Sequence, residues 1–282
     1  MRTLIPIMGQ IVKNMGFVIC IFIMFGSVVS CTSWKYLPNQ YDFAKHHRIK
    51  GKPKKIVWYQ YQQSGELLNK STYTFNKNGL LIQKNTEIHN PGEKVRYSHS
   101  SWIYDENGFL IMELQDLKRT DYVNDRRGRV KKSKFYSHPD SAAQISTYKY
   151  LPRKRKRLQK GYDYEGKLYS QGEVVYDKQN NVVYSIYELP NYKNLEEVWY
   201  RSDEYGNTVE SKVKSTNLSD TLYTFMEYDA NHHKVWERYV DEKKHVRIQT
   251  YIYRVDSLRN WIERTKDEGS YRRKEKREIT YY

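Results

Sequence analysis

The stretch Tyr200-Arg201-Ser202-Asp203-Glu204-Tyr205-Gly206-Asn207-Thr208-Val209 has the pattern of a strand, a turn and a second strand. Asp203 can accept a hydrogen bond from a backbone N–H two residues on, which favours a turn. Gly206 tolerates the positive φ that such a turn requires. Aromatic and β-branched residues alternate with polar ones on the flanking segments, and this alternation is typical of half-buried antiparallel strands.

Degenerate copies of this stretch recur along the chain. The clearest begin at acidic residues spaced by 26, 26 and 27 positions, namely Asp177, Asp203, Asp229 and Asp256. A period of this length predicts a tandem unit of two strands and two turns. We therefore predict an all-β fold in which tandem antiparallel hairpins form an extended, meandering sheet, curved or solenoid-like. The recurrent turn residues are predicted to be structural: Asp177, Asp203, Gly206, Asp229 and Asp256.

The repeat resembles the YD repeats of Rhs-type shell proteins and of standalone bacteroidete lipoproteins, and more loosely MORN-type repeats. The likeness is carried by Tyr104-Asp105-Glu106-Asn107-Gly108, by Tyr228-Asp229 and by Asn260-Trp261-Ile262-Glu263-Arg264. It covers roughly residues 57 to 282, although His232 and Arg259 stand where glycine is usual. The resemblance implies an all-β meander and does not imply a toxin shell.

The N-terminus has the features of an export signal. An apolar run over residues 17 to 29 follows Arg2 and Lys13, and it is too short to span a hydrocarbon core of about 30 Å. The run ends in Val28-Val29-Ser30-Cys31, which resembles a bacterial lipobox. The resemblance implies a signal peptide at 1–30, lipidation of Cys31 with a tether at 31–55, and a repeat domain at 56–282. An uncleaved signal anchor is the alternative, and the expected location is the cell envelope, at the outer membrane.

The chain is strongly basic, with a formal net charge of +16 and a mean hydropathy of −0.92. Such a charge favours anionic partners, although Lys and Arg also keep exposed strands soluble. Charges on both faces of most strands argue against a lipid-facing barrel, which needs an apolar outer band. Two clusters of basic residues are candidates for anion binding, and both are expected at the same end of the sheet. The alternative is that they are solvated loops with no ligand. The two clusters are Arg153, Lys154, Arg155, Lys156 and Arg157, and Arg126, Arg127 and Arg129.

The sequence contains no nucleotide-binding loop, hydrolase elbow or zinc-protease motif. Removal of the leader would leave Cys31 as the sole cysteine, so we expect no disulfide and no multi-cysteine metal site. Because no catalytic or cofactor motif is present, we also expect no cofactor and no enzyme activity. The predicted function is a lipid-anchored binding or scaffold module for an envelope protein or an acidic glycan such as lipopolysaccharide. Nucleic acid is disfavoured by the export signal. Two alternatives remain: a glycan-processing hydrolase with a site in a groove of the sheet, and an assembly component that pairs through a sheet edge.

Overall fold

The computed structural model describes residues 47, 49–139, 141, 143–217, 220–269 and 271–282. The predicted signal peptide and Cys31 lie outside them. The described part contains two short 3-10 helices, at Pro152–Lys154 and Pro190–Tyr192, and eighteen strands. The strands are β1 Pro53–Tyr61, β2 Leu67–Phe75, β3 Leu81–Ile88, β4 Arg96–Tyr104, β5 Leu110–Gln115, β6 Lys118–Asn124, β7 Val130–Tyr136, β8 Gln144–Leu151, β9 Lys156–Tyr162, β10 Leu168–Tyr176, β11 Val182–Leu189, β12 Asn194–Ser202, β13 Thr208–Ser215, β14 Leu222–Tyr228, β15 Lys234–Asp241, β16 Val246–Val255, β17 Trp261–Asp267 and β18 Arg272–Tyr281.

The sheet closes on itself. Every strand pairs antiparallel with the next one along the chain, and β18 pairs with β1, where Ile56 lies opposite Ile279 and Trp58 opposite Arg277. The result is a closed β-barrel of eighteen strands. The prediction of an open, meandering or solenoid-like sheet is therefore wrong. Closure pairs both rows of edge N–H and C=O groups, which an open sheet would leave exposed.

The two faces of the barrel wall differ in burial. Along β18, Glu275 and Arg277 are buried on the concave face, whereas Lys274 and Glu278 are exposed on the convex face. The convex face carries cross-strand ion pairs: Lys70–Glu87, Lys156–Glu173, Arg201–Glu210 and Arg254–Glu263. A Lys or Arg on a lipid-facing wall costs about 2–4 kcal/mol at the membrane midplane, so this wall is suited to water.

One end of the barrel, here called the aspartate rim, is formed by the turns that follow the even-numbered strands, which begin at Asn76, Asp105, Asp125, Pro152, Asp177, Asp203, Asp229 and Asp256. In a representative turn, Oδ1 of Asp203 accepts from the backbone N–H groups of Tyr205 and Asn207, at 3.0 and 2.8 Å. The fourth turn position is left-handed, with φ of 79° at Gly206 and 64° at both His232 and Arg259. A non-glycine residue pays about 1–2 kcal/mol for this conformation, so glycine is usual there.

The interior is packed over only part of the ring. One apolar cluster, near the aspartate rim on β1 to β5, contains Ile56, Phe75, Leu81 and Trp102 together with Ile49 from the segment before β1. Elsewhere the lining is mixed: Val198, Val213 and Tyr251 are buried, whereas Tyr148, Tyr200 and Ser211 are half-buried. Barrels of about 16–18 strands are generally too wide for their own side chains to fill.

Candidate functional site: the barrel interior

Most of the residues predicted to bind anions lie outside the barrel interior. Arg126 and Arg127 are exposed on the β6–β7 turn, and Arg153 and Lys154 are exposed on the β8–β9 turn. Lys156 points outward and forms an ion pair with Glu173 at 2.6 Å. The first four residues are therefore exposed to solvent, and Lys156 is paired with a carboxylate of the protein itself.

Two of the remaining arginines, Arg129 and Arg157, lie beside Tyr150 on the inner side of the aspartate rim, and the third, Arg155, lies in the turn next to them. The guanidinium of Arg129 lies 4.9 Å from the ring centre of Tyr150, and that of Arg157 lies 6.0 Å from the ring centre of Tyr148. Arg157 is also opposite Tyr150 in the β8–β9 register. Arg155 closes the same turn, with its N–H donating to Pro152 O. We call Arg129, Arg155 and Arg157 the rim arginine cluster.

The three guanidinium groups are not equivalent. Arg129 forms an ion pair with Asp125 at 2.7 Å, so its charge is compensated within the turn. Arg155 and Arg157 have no carboxylate within ion-pair distance among the described residues. In the same part of the chain, Arg155 Nη1 and Arg157 Nε are buried atoms without a hydrogen-bond partner. The rim arginine cluster therefore carries two uncompensated positive charges.

A strip of tyrosines extends from this cluster into the interior. It consists of Tyr148, Tyr169 and Tyr187, on β8, β10 and β11, and we call it the tyrosine strip. Burial raises the pKa of both Tyr169 and Tyr187, and both hydroxyls interact with Ser170, which is 1% exposed. A Cβ added at Gly161 would lie 3.0 Å from the Tyr169 ring, so glycine makes room for that ring. All three rings are half-buried, and the hydroxyls of Tyr169 and Tyr187 are directed at buried Ser170.

A second cluster, on β17, β18 and β1, is a structural feature rather than a binding site. The guanidinium of Arg277 lies 4.1 Å from the ring centre of Trp58 and 3.4 Å from that of Trp261. Glu275 accepts from Trp58 Nε1 at 3.1 Å and from Arg264 Nη2 at 2.6 Å. Burial, and then the nearby Arg264, lower the pKa of Arg277 well below its usual range. Arg277 and Glu275 are each 3% exposed, so they are closed to a solute.

Lys84 adds another positive charge to the interior. Its ammonium lies 5.5 Å from the ring centre of Tyr73, which is 8% exposed and belongs to the apolar cluster. Burial lowers the pKa of Lys84. No carboxylate within the described part of the chain forms an ion pair with it. The interior thus carries Lys84 and Arg157 beside aromatic rings. It also carries the carboxyl groups of Glu113 and Glu196, whose pKa is raised by burial.

On the outer wall, a groove of about 560 Å³ lies between the β1–β2 and β17–β18 turns. Its basic residues are already engaged, since Arg272 forms an ion pair with Asp267 and Lys276 with Glu278. Among the described residues no group of three or more His, Cys, Asp or Glu side chains could hold a metal ion. No helix in that part of the chain is long and apolar enough to cross a membrane.

The sequence pattern alone does not distinguish the tyrosine strip. Tyr148 follows the ordinary alternation of strand residues, whereas Tyr169 lies at the register shift between Leu168 and Ser170, which the pattern does not reveal. Tyr is also the commonest aromatic residue of the chain, at 28 copies. Once the turns are fixed, the period of two assigns each residue to a face. It does not say that the face is concave, which depends on closure of the sheet.

Comparison with known proteins gives structural likenesses only. No family model matches the chain, and no curated protein matches it. A crystal structure of a porin-like protein from Bacteroides uniformis is similar at a TM-score of 0.45 and 11% identity, covering 81% of this chain and 98% of that one. A porin-like protein from Bacteroides vulgatus has a TM-score of 0.34 at 11% identity, with 82% and 98% covered. A TcdB2-TccC3-Cdc42 structure has a TM-score of 0.36 at 10% identity, and this chain spans 12% of its length.

These results correct the predicted family and the predicted functions. The assignment to a YD-repeat family is wrong, because no family model matches the chain and its sheet closes into a ring instead of the meander that the resemblance implied. The predicted function as a binding or scaffold module is also wrong, because it required the long surface of an open array. The hydrolase alternative required a site in a groove of an open sheet, and the assembly alternative required a free sheet edge; the ring is closed, so both fail as well.

Proposed function

We propose that this barrel takes small anionic solutes into a water-accessible interior, in a transport or carrier role in the cell envelope. The observation that carries the proposal is the placement of Lys84 and Arg157 on the concave side of a wide closed ring, where neither forms an ion pair with a described residue. Positive charge held against low-dielectric walls raises the local concentration of anions. The paired charges of the outer wall are suited to a barrel that stands in water.

The rates at which anionic and cationic thiol reagents label introduced cysteines test whether the interior is accessible and positively charged. In a Cys20→Ser, Cys31→Ser background, Ser146→Cys places a thiol on the inner face of β8, opposite Gly161. Ile186→Cys places one on the outer face of β11, between Glu173 and Glu197 on the neighbouring strands. We expect a sulfonate-bearing methanethiosulfonate to label Ser146→Cys at least about fivefold faster than a trimethylammonium-bearing one, because the local potential is positive. The preference should reverse at Ile186→Cys.

Salt provides the control for this labelling experiment. At about 1 M salt the screening length falls to about 3 Å, and both preferences should shrink. If Ser146→Cys reacts with neither reagent in the folded protein but reacts after urea unfolding, the interior is closed and the proposal is wrong. A preference for the cationic reagent at Ser146→Cys would equally contradict it.

We further propose that lipid on Cys31 holds the barrel at the outer membrane, on the basis of the apolar run and the Val28-Val29-Ser30-Cys31 sequence. Each buried CH₂ of an acyl chain contributes about 0.8 kcal/mol to membrane binding. Wild-type cells fed a radiolabelled fatty acid should incorporate label into the protein, and the Cys31→Ala variant should incorporate none. Equal labelling of the two would show that Cys31 is not the acylated residue.

A further inference from the structure

We infer that the rim arginine cluster and the tyrosine strip form one binding site for a phosphate monoester with a polyhydroxylated body, such as a sugar phosphate. The phosphate would lie on Arg155 and Arg157, and the body would lie along Tyr148 towards Tyr169 and Tyr187. The inference rests on the proposed function, since the ligand must first enter the interior.

The charge of the cluster favours a dianion. Arg129 is neutralised by Asp125, so two guanidinium charges remain, on Arg155 and Arg157. Neither of these guanidinium groups donates a hydrogen bond to a described residue, and both side chains are half-buried rather than fully solvated. A phosphate monoester carries close to two negative charges at neutral pH, and guanidinium forks match its oxygens with paired hydrogen bonds. A phosphate therefore supplies both the charge and the acceptors that this part of the protein lacks.

The tyrosine strip favours a flat body with hydroxyl groups. Tyr148 is the ring nearest the Arg157 guanidinium, at 6.0 Å, and it interacts electrostatically with Tyr169 and Tyr187. Tyrosine combines an apolar ring face with a polar tip, which suits a sugar ring. Because Gly161 carries no side chain, the Tyr169 ring can lie against the β9 strand.

Isothermal titration of the full-length protein in detergent tests the site, with glucose 6-phosphate, inorganic phosphate and glucose as probes. We expect glucose 6-phosphate to bind about tenfold or more tightly than phosphate, and glucose alone to bind more weakly than either. Arg157→Gln should weaken both phosphate-containing probes by about tenfold or more, because a hydrogen bond to a charged group is lost. Tyr148→Ala should weaken glucose 6-phosphate and leave inorganic phosphate within about twofold.

Lys154→Gln is the matched control, since Lys154 is an exposed cation on the same turn. It should change the affinity by less than about twofold. If it weakens phosphate as much as Arg157→Gln does, the binding is general attraction to a basic surface and the inference is overturned. Should Arg157→Gln fail to fold, Arg155→Gln serves in its place, because Arg155 lies between strands rather than within one.

Failure of this inference can be told apart from failure of the proposed function. If Ser146→Cys is labelled charge-selectively but Arg157→Gln binds glucose 6-phosphate as the wild type does, the binding site is contradicted and the accessible interior is supported. If Ser146→Cys is not labelled, both proposals are contradicted. Equal affinities for inorganic phosphate and glucose 6-phosphate would overturn the part of the site assigned to the tyrosine strip.

Discussion

Replacing Glu275 with alanine is expected to lower the free energy of unfolding by about 3–5 kcal/mol. Glu275 is the carboxylate that accepts from both Trp58 Nε1 and Arg264 Nη2, and it is 3% exposed. Without it, Arg264 and Arg277 would remain as buried cations with no compensating charge between them. Breaking a buried ion pair from one side is costly for this reason, even where the intact pair adds little net stability. Urea unfolding followed by circular dichroism measures the change.

The matched control is Glu210→Ala. Glu210 also pairs with an arginine, Arg201, at 2.9 Å, but that guanidinium is 67% exposed on the outer wall. An exposed pair contributes about 0–1 kcal/mol, so this variant should be nearly as stable as the wild type. Tryptophan fluorescence should respond to Glu275→Ala only, because Trp58 loses its acceptor. If the two variants are destabilised equally, Glu275 does not hold the tryptophan–arginine packing together.

The local structure was accessible from the sequence because its causes are local. Asp203 and Gly206 define a turn through interactions within five residues, and the same chemistry repeats at Asp177, Asp229 and Asp256. The positions of the hairpins therefore follow from the repeat. The copies without glycine have the same backbone geometry, since Asn180, His232 and Arg259 adopt the left-handed conformation that Gly206 adopts.

The closure of the sheet was not accessible, because no local pattern encodes it. Trp58 and Arg277 lie at opposite ends of the described chain, yet they are cross-strand partners in one ring. Each hairpin has the same sequence pattern whether the first and last strands meet or not. Closure depends on the twist and curvature summed over all the strands.

The candidate site could not be assembled from the sequence for the same reason. Arg155 and Arg157 belong to a basic run, and the run alone does not separate them from Arg153 and Lys154. The structure separates them, because Arg157 faces Tyr150 inside the ring while Lys154 stays exposed in the turn. In a strand, neighbouring residues point to opposite faces, so a shift of one position exchanges an interior cation for a solvated one.

Closure of the ring itself leads to the second large prediction, an intramolecular disulfide between β1 and β18. In a Cys20→Ser, Cys31→Ser background, Val57→Cys and Glu278→Cys introduce thiols at residues that lie directly opposite each other on the outer wall. Opposed residues on antiparallel strands have Cβ atoms about 4.5–5.5 Å apart, and a disulfide needs about 3.5–4.5 Å, so a small local shift is enough. Mild oxidation should give a crosslinked monomer, seen as altered mobility on a non-reducing gel.

The crosslink should also stabilise the barrel strongly, because it closes a loop of nearly the whole described chain. The chain-entropy model gives about 5 kcal/mol for a loop of roughly 220 residues, before any strain in the folded state is subtracted. Val57→Cys combined with Thr147→Cys is the control, since Thr147 lies on β8 and pairs with neither β1 nor β18. In an extended open sheet β1 and β18 would be the two most distant strands. Crosslinking equally poor in both double variants would therefore contradict the closed ring, whereas a selective crosslink at Val57 and Glu278 requires it.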